Sequence, residues 1–376
     1  MKKFVKLSLV AAVAVAGLTT ANAKPLEEAI KGVDITGSVA YRYEEAGKAD
    51  ANNAGKEEAH NYYNAVVDVT VPAGDDLSMG LSFQAGVADL DPTSNAAGGT
   101  GVAVNLTGAN FTYTGLTNTS VTAGLQAIPT PWTVAADAMG TTHAGTGILA
   151  VSTWSPVTLV GAYFNDTDIA TINTANNSQD IAVLGAMLNI AGVNAELMFA
   201  DSRDLLDSYT VAAGYKLDLD GVKLGLSARY SSLELDAAGS KKQSLAQGKI
   251  TLAAGIFDAK VAYAEAGKDG ALVAFDGSAK TTMEGWNTDI YTNTNGGEAD
   301  SDYLMLSAGA KVLPALHVSL NYNKLDVTAA NSDEEETYLQ VKYQASKNLM
   351  TYVRLGQVEV GNLDSDAGRL HIQYSF

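Results

Sequence analysis

Asp76-Leu77-Ser78-Met79-Gly80-Leu81-Ser82-Phe83-Gln84-Ala85-Gly86-Val87 alternates strictly. Leu77, Met79, Leu81, Phe83, Ala85 and Val87 fall on one side. Asp76, Ser78, Gly80, Ser82, Gln84 and Gly86 fall on the other. Side chains alternate sides along a strand, so the segment is a strand with one apolar and one polar face. Val33 to Tyr43 repeats the pattern, with Val33, Ile35, Val39, Tyr41 and Tyr43 opposing Asp34, Thr36, Ser38, Ala40 and Arg42. Similar segments begin near Asn61, Val102, Thr119, Gly145, Val157, Asp180, Val193, Ser208, Val222, Gln243, Phe257, Tyr303, Leu316, Thr337, Leu349 and Gly368. Eighteen strands result. The weakest are those near Val102, Gly145 and Asp180, and sixteen is the alternative count. Most are about 9 to 12 residues long, enough to cross a bilayer when tilted.

The connections sort by length. Those after even-numbered strands are short and turn-like, as in Pro72-Ala73-Gly74-Asp75, Leu313-Pro314-Ala315 and Ala345-Ser346-Lys347-Asn348. Those after odd-numbered strands are mostly longer and polar, including Glu44 to His60, Ala88 to Gly101, Asn165 to Gln179 and Ala266 to Asp302. A sandwich in water has no reason to sort its loops in this way, whereas a membrane barrel has short turns on one side and long loops on the other. A sheet edge facing lipid leaves backbone groups unpaired at several kcal/mol each, so the sheet must close. The expected fold is an all-β transmembrane antiparallel β-barrel, wide enough to hold water.

Composition agrees. A mean hydropathy of +0.02, with no apolar run of helix-spanning length, excludes a helical membrane bundle but not a barrel. The formal charge of -18 excludes a nucleic-acid binder, and the absence of cysteine removes disulfides, thiolate metal sites and thiol nucleophiles. Lys2, Lys3 and Lys6, the apolar run Leu7 to Leu18 and Ala21-Asn22-Ala23 form, in that order, a cleavable export signal over 1–23. The expected mature domain is 24–376. Losing three lysines takes its charge to -21.

The final strand, Gly368 to Phe376, places Leu370, Ile372, Tyr374 and Phe376 outward, with Arg369, His371, Gln373 and Ser375 inward. It resembles the C-terminal signal of bacterial outer-membrane barrels, which the barrel-assembly machinery reads. Lys24-Pro25-Leu26-Glu27-Glu28-Ala29-Ile30-Lys31-Gly32-Val33-Asp34, running into Tyr41-Arg42-Tyr43, is similar to the mature start of the campylobacter-type major outer membrane porins. Thr112-Tyr113-Thr114, Ala123-Gly124-Leu125-Gln126, Trp132-Thr133 and Gly145-Thr146-Gly147 carry a second likeness. The resemblance implies an eighteen-stranded homotrimeric porin, in contact with outer-membrane lipid and lipopolysaccharide. Its water-filled channel would pass ions and small hydrophilic solutes by passive diffusion. It also implies that the third external loop folds into the lumen.

That loop is Ala127 to Ala144. Pro129 and Pro131 lower its ordering cost; Trp132, Val134 and Met139 suit packing on the wall, and Asp137 suits the passage. By parity Arg42, Lys216, Lys223, Arg229, Lys260, Lys311, Lys342, Arg354 and Arg369 point inward, against fewer acids: Asp34, Asp68, Asp76, Glu196 and Asp258. The candidate constriction is Asp137 and Trp132 against Arg42, Arg354 and Arg369, which closure brings onto one wall. The pairs Asp89/Asp91, Asp166/Asp168, Asp300/Asp302 and Asp364/Asp366, with Glu334-Glu335-Glu336, are expected in external loops. Such a mouth concentrates cations, which suggests weak cation selectivity. Asp89, Asp91, Asp166, Asp168, Asp364 and Asp366 are weak Ca²⁺ candidates and no firm metal site emerges; no other cofactor is expected. His60, His143, His317 and His371 are dispersed, and no nucleophile elbow, P-loop or dinucleotide motif occurs, so no enzyme is expected. The alternatives are an outer-membrane adhesin or structural barrel, with Trp286 and Tyr291 as loop contacts, and a substrate-specific channel.

Overall fold

The computed structural model describes residues 32–47, 57–88, 104–133, 137–169, 173–174, 177–178, 180–275, 279–283, 298–328, 332–361 and 363–376. The proposed export signal, Val134, Asp89, Asp91, Trp286 and Tyr291 therefore lie outside the described residues.

Among the described residues eighteen strands form one antiparallel sheet. They are β1 (Asp34–Gly47), β2 (Glu57–Pro72), β3 (Leu77–Ala88), β4 (Val104–Leu116), β5 (Thr119–Ala127), β6 (Ala144–Trp154), β7 (Val157–Thr167), β10 (Ile181–Ile190), β11 (Val193–Ser202), β12 (Leu206–Leu219), β13 (Val222–Leu235), β14 (Gln243–Ala254), β15 (Phe257–Ala266), β16 (Ser301–Leu313), β17 (Leu316–Val327), β18 (Ser332–Gln344), β19 (Leu349–Val360) and β20 (Leu363–Ser375). The remaining two, β8 (Asn173–Thr174) and β9 (Asn177–Ser178), make a small hairpin in the connection after β7. Each wall strand pairs with the next, and β20 pairs with β1, Ile372 opposite Tyr41 and Leu370 opposite Tyr43. Gly37 and Phe376 exchange both backbone hydrogen bonds at 3.0 Å, so the last residue completes the seam.

Every strand expected from the sequence is present. Turns such as Asn118, Ala191-Gly192 and Asp220-Gly221 join strands at one end, and positive φ at Asn118 (54°), Gly192 (83°) and Gly221 (93°) gives them the hand that two-residue hairpins need. Leu106, Phe111, Ile148, Tyr163, Leu184, Phe199, Tyr215, Tyr263, Leu320 and Leu355 stand exposed outward, an apolar band for lipid.

Two expectations are corrected. Asp364 and Asp366 belong to β20, opposite Glu359 and Gln357, and Glu334, Glu335 and Glu336 belong to β18. Asp166 is the penultimate residue of β7 and Asp302 the second of β16. The ladders run beyond the apolar band into water. There both faces are polar, so alternation no longer reveals the strand. The second correction concerns the inner face, which is not polar throughout. Phe164, Ile181, Val183, Met198, Leu206, Leu233, Leu245, Tyr303, Met305 and Leu325 form a buried core inside the external half of the barrel. Two connections cover it.

Candidate functional site

The first cover is the connection 128–143 between β5 and β6. Its stem is held at both ends: Ile128 N–H donates to the His143 carbonyl at 2.9 Å, and Thr133 Oγ1 bonds the Ile128 carbonyl. Ile128 and Trp132 are fully buried in the inner core. Trp132 stacks on Phe275 with ring centroids 5.9 Å apart. With 0% exposure its indole cannot line a water passage, so its place in the expected constriction is corrected to that of a prop. Burying such a ring contributes about 1.5–3 kcal/mol.

The tip of this connection lies against the inner wall formed by β1 to β3. Asn64 Nδ2 of β2 donates to the Met139 carbonyl at 2.8 Å, and Gln84 Nε2 of β3 reaches Thr141 Oγ1 at 3.4 Å. Gly140 adopts φ +86°, and a Cβ there would sit 3.1 Å from Ser38 Oγ and 3.3 Å from Val66 Cγ2. Glycine thus lets the tip approach the wall. Asp137 Oδ1 accepts from the backbone N–H groups of Met139 (2.8 Å) and Thr141 (2.7 Å). This carboxylate therefore folds the tip as well as carrying its charge, an Asx-type turn.

Asp137 is within electrostatic reach of Arg42. Residues directly opposite in an antiparallel ladder share a face, so register gives the wall around Arg42. Lys311, His317, Lys342, Tyr352, His371 and Arg42 are successive cross-strand partners from β16 to β1. The adjacent row runs Gly309, Ser319, Gln340, Arg354, Arg369 and Glu44. Arg42, Arg354 and Arg369 are thus brought together on closure. Arg369 forms a buried ion pair with Glu44. Arg354 donates from Nε to Gln340 Oε1 at 2.8 Å and lies over the rings of Tyr338 (5.2 Å) and Tyr352 (5.0 Å). Tyr352 in turn stacks on His371 at 4.9 Å. Cation–π and stacking contacts fix the height of the guanidinium on the wall.

The second cover was not anticipated. Residues 267–275 and 279–283, after β15, turn inward. Phe275 N–H donates to the Trp132 carbonyl at 2.8 Å, Leu272 N–H to Gln243 Oε1 at 2.7 Å, and Gln247 Nε2 to the Thr282 carbonyl. Ala271, Val273, Phe275 and Met283 are buried in the same core as Trp132. The run Ala271-Leu272-Val273-Ala274-Phe275 inside a long loop was the available signal. This arm carries Lys280 into the lumen, 3.9 Å from Glu196, which also pairs with Arg229 at 2.8 Å. Neither Lys280 nor the arm figured among the expected site residues.

The remaining candidates separate. Asp168 Oδ1 is occupied by His143 Nδ1 and Ala144 N–H, both at 3.0 Å, so it braces the loop stem. Among the described residues no group of three or more His, Asp or Glu is placed to hold a metal ion. Ile372, Tyr374 and Phe376 are exposed outward at the seam, beside Leu370.

A family profile described as Campylobacter major outer membrane protein matches residues 1–374. No curated protein matches the chain. Among solved structures it is similar to OccK9 (OpdG) of Pseudomonas aeruginosa, with a TM-score of 0.76 and 18% identity over 93% of this chain and 99% of that one. A BenF-like porin from Pseudomonas fluorescens Pf-5 gives a TM-score of 0.75 and 16% identity over 92% and 99%. Pseudomonas aeruginosa OpdK with vanillate gives 0.73 and 14% over 91% and 98%. At these identities the likeness speaks for the fold.

Proposed function

The chain belongs to the family described as Campylobacter major outer membrane protein, and from that premise we propose how its barrel works as a porin. It is an outer-membrane β-barrel whose water-filled channel passes ions and small hydrophilic solutes. The observation that carries the mechanism is the inward-folded tip of 128–143, which Asn64 of β2 holds through the Met139 carbonyl and which brings Asp137 within electrostatic reach of Arg42 on β1. In a closed barrel with a wet lumen, opposed fixed charges set a field across the narrowest section. A passing solute exchanges part of its hydration shell for these fixed groups. The field is rigid because each side is braced. Asp137 is held by backbone N–H groups, Arg369 by Glu44 and Arg354 by Gln340 and two tyrosines.

Selectivity is the balance of two terms. The acidic mature chain favours cations at the mouth, and the arginine wall opposes them inside. Weak cation preference is the expected sum. Removing one wall charge by Arg354→Ala raises that preference. The check is the reversal potential across a salt gradient in planar bilayers, where an unchanged value counts against the role of Arg354. The same recording tests the channel itself, since a purified chain that gives no conductance steps is not a porin.

Four finer readings complete the proposal. Residues 1–23 act as an export signal, giving a mature chain that starts at Lys24, which N-terminal mass spectrometry checks. Leu370, Ile372, Tyr374 and Phe376 serve as the assembly signal, so Phe376→Ala lowers the yield of heat-modifiable barrel. Three copies associate through their apolar outer faces, as native mass spectrometry would register. The chain acts as a channel rather than an enzyme.

A further inference from the structure

A pair that the constriction does not use sits in the lumen beside the short turns. His317, the second residue of β17, places Nε2 2.6 Å from Oδ2 of Asp258, the second residue of β15. The strand between them is β16, where the register sets Gly309 opposite Asp258 and Lys311 opposite His317. A Cβ at Gly309 would lie 2.7 Å from the imidazole and 2.8 Å from the carboxylate, so glycine is what lets the pair close across β16. Both side chains stay partly open, 32% for His317 and 43% for Asp258, and both line an inner-wall cavity of about 720 Å³. An ionised carboxylate only accepts, so Nε2 carries the hydrogen of this bond and Nδ1 is the atom left to take up a further proton. The neutral and the protonated ring therefore make the same contact, and only the charge changes.

We propose that His317 and Asp258 form a proton-responsive specificity element of the channel. At neutral pH the pair puts one negative charge among the wall cations; once the imidazole is protonated it puts none, and cation preference falls. Among the described residues, the charged and titratable groups facing His317 are Asp258 and Lys260 from β15, Lys311 from β16, Tyr338 and Lys342 from β18 and Arg354 from β19, with Lys216, Asp218 and Lys223 lining the same cavity. Of these residue types only histidine ordinarily changes charge between about pH 5 and 8. The inference needs no sum over them, because one proton changes the total by one charge whatever the others add. His371, in the same cross-strand row, is fully buried against Tyr352, which leaves His317 as the histidine of that row open to lumen water. The element rests on the porin reading, since it acts on ions already in the lumen.

The test reads the reversal potential of the full chain across a salt gradient in planar bilayers, with both chambers taken from about pH 8 to about pH 5. The lumen keeps its width, so the step appears in the reversal potential rather than in the conductance. The cation-to-anion permeability ratio should fall about twofold, the effect of one charge on an ion passing within a Debye length in water. In His317→Gln, which can still donate to Asp258, the step should vanish. His60, His143 and His371 are present in both chains, so the difference belongs to His317. His317→Arg should show at the alkaline end the ratio that the unaltered chain reaches at the acid end. Asp258→Asn should lower the ratio at both ends and keep the step. An equal step in the unaltered chain and in His317→Gln is what a mere tie between β15 and β17 would give; it overturns the element and spares the channel. Absence of current steps at every pH overturns both. Should His317→Gln give no heat-modifiable barrel, diethyl pyrocarbonate, which attacks the unprotonated imidazole, decides the matter on the unaltered chain. Peptide mass spectrometry should find His317 modified faster at the alkaline end, and the step should shrink in proportion to modification at that residue. Equal modification at both ends, or a step that survives it, would overturn the proposal.

Discussion

Two arcs of one inner wall have opposite characters. From β16 to β1, in the half nearer the short turns, the wall carries Lys311, His317, Lys342, Arg354, Arg369 and Arg42, in a polar surrounding. From β7 to β17, in the external half, it carries Phe164, Ile181, Val183, Met198, Leu206 and Leu325, all buried under the stem of 128–143 and the arm of 267–275 and 279–283. The same backbone geometry supports both. What differs is whether water or another segment of the chain covers the strand. A pore of this width therefore has its shape set by two apolar plugs that remove part of the lumen, leaving solutes to the charged side.

The largest test of this contrast is Trp132→Ala. It removes a fully buried ring that joins both covers, at a cost of about 3–5 kcal/mol of docking free energy. Conductance should rise and become noisy while the heat-modifiable barrel persists. If conductance stays at the wild-type value, the covers do not bound the passage. On the charged arc, Glu44→Gln leaves Arg369 buried without its counter-charge. Truncating one partner of a buried pair costs roughly 3 kcal/mol or more. The expected outcome is a lower unfolding temperature with anion preference increased. Gly140→Val comes next: a branched side chain at φ +86° beside Ser38 and Val66 costs about 1–2 kcal/mol. It should free the tip and weaken the Arg354→Ala effect on reversal potential, without altering Trp132 fluorescence.

The smallest expected effect concerns Lys241, in the connection between β13 and β14, which bonds Asp269 at the base of the arm at 2.6 Å. That hydrogen bond raises the lysine's pKa above its usual value. A raised folded-state pKa means that any stabilisation is fully present below the ordinary lysine value and is lost only as pH climbs through the raised one. Conductance and unfolding temperature should therefore be flat from pH 6 to 9, and Lys241→Gln should change neither at neutral pH, since the pair is exposed. A clear loss in that range would mean that the arm hangs on this contact rather than on its apolar core.

The difference between the arcs also explains what could be read from sequence. Leu77 to Val87 alternates because one face meets lipid and the other water. The segment near Asp180 alternates poorly because both faces are apolar: Leu184 faces lipid at 66% exposure, while Val183 is buried under a loop. The Gly145 segment is weak for a related reason, as Gly145 and Gly147 make room for Ile128 and Phe164. In these two segments weak alternation coincides with a place beneath infolded chain. Arg42, Arg354 and Arg369 were legible as neighbours because closure of an even-stranded sheet fixes which strands meet. The buried state of Trp132, the bracing role of Asp137 and the arrival of Lys280 were not legible, since loop paths depend on contacts among distant segments rather than on local period.

The central claim is that water runs along the charged arc and not through the apolar one. The chain has no cysteine, so single cysteines report without background. Gln340→Cys on the charged arc and Val183→Cys beneath the covers, treated with a membrane-impermeant charged thiol reagent during bilayer recording, measure access directly. The prediction is rapid reaction and a stepwise fall in current at position 340, with no reaction at position 183 unless Trp132→Ala is added. Equal reaction rates at both positions in the otherwise unaltered chain would contradict it.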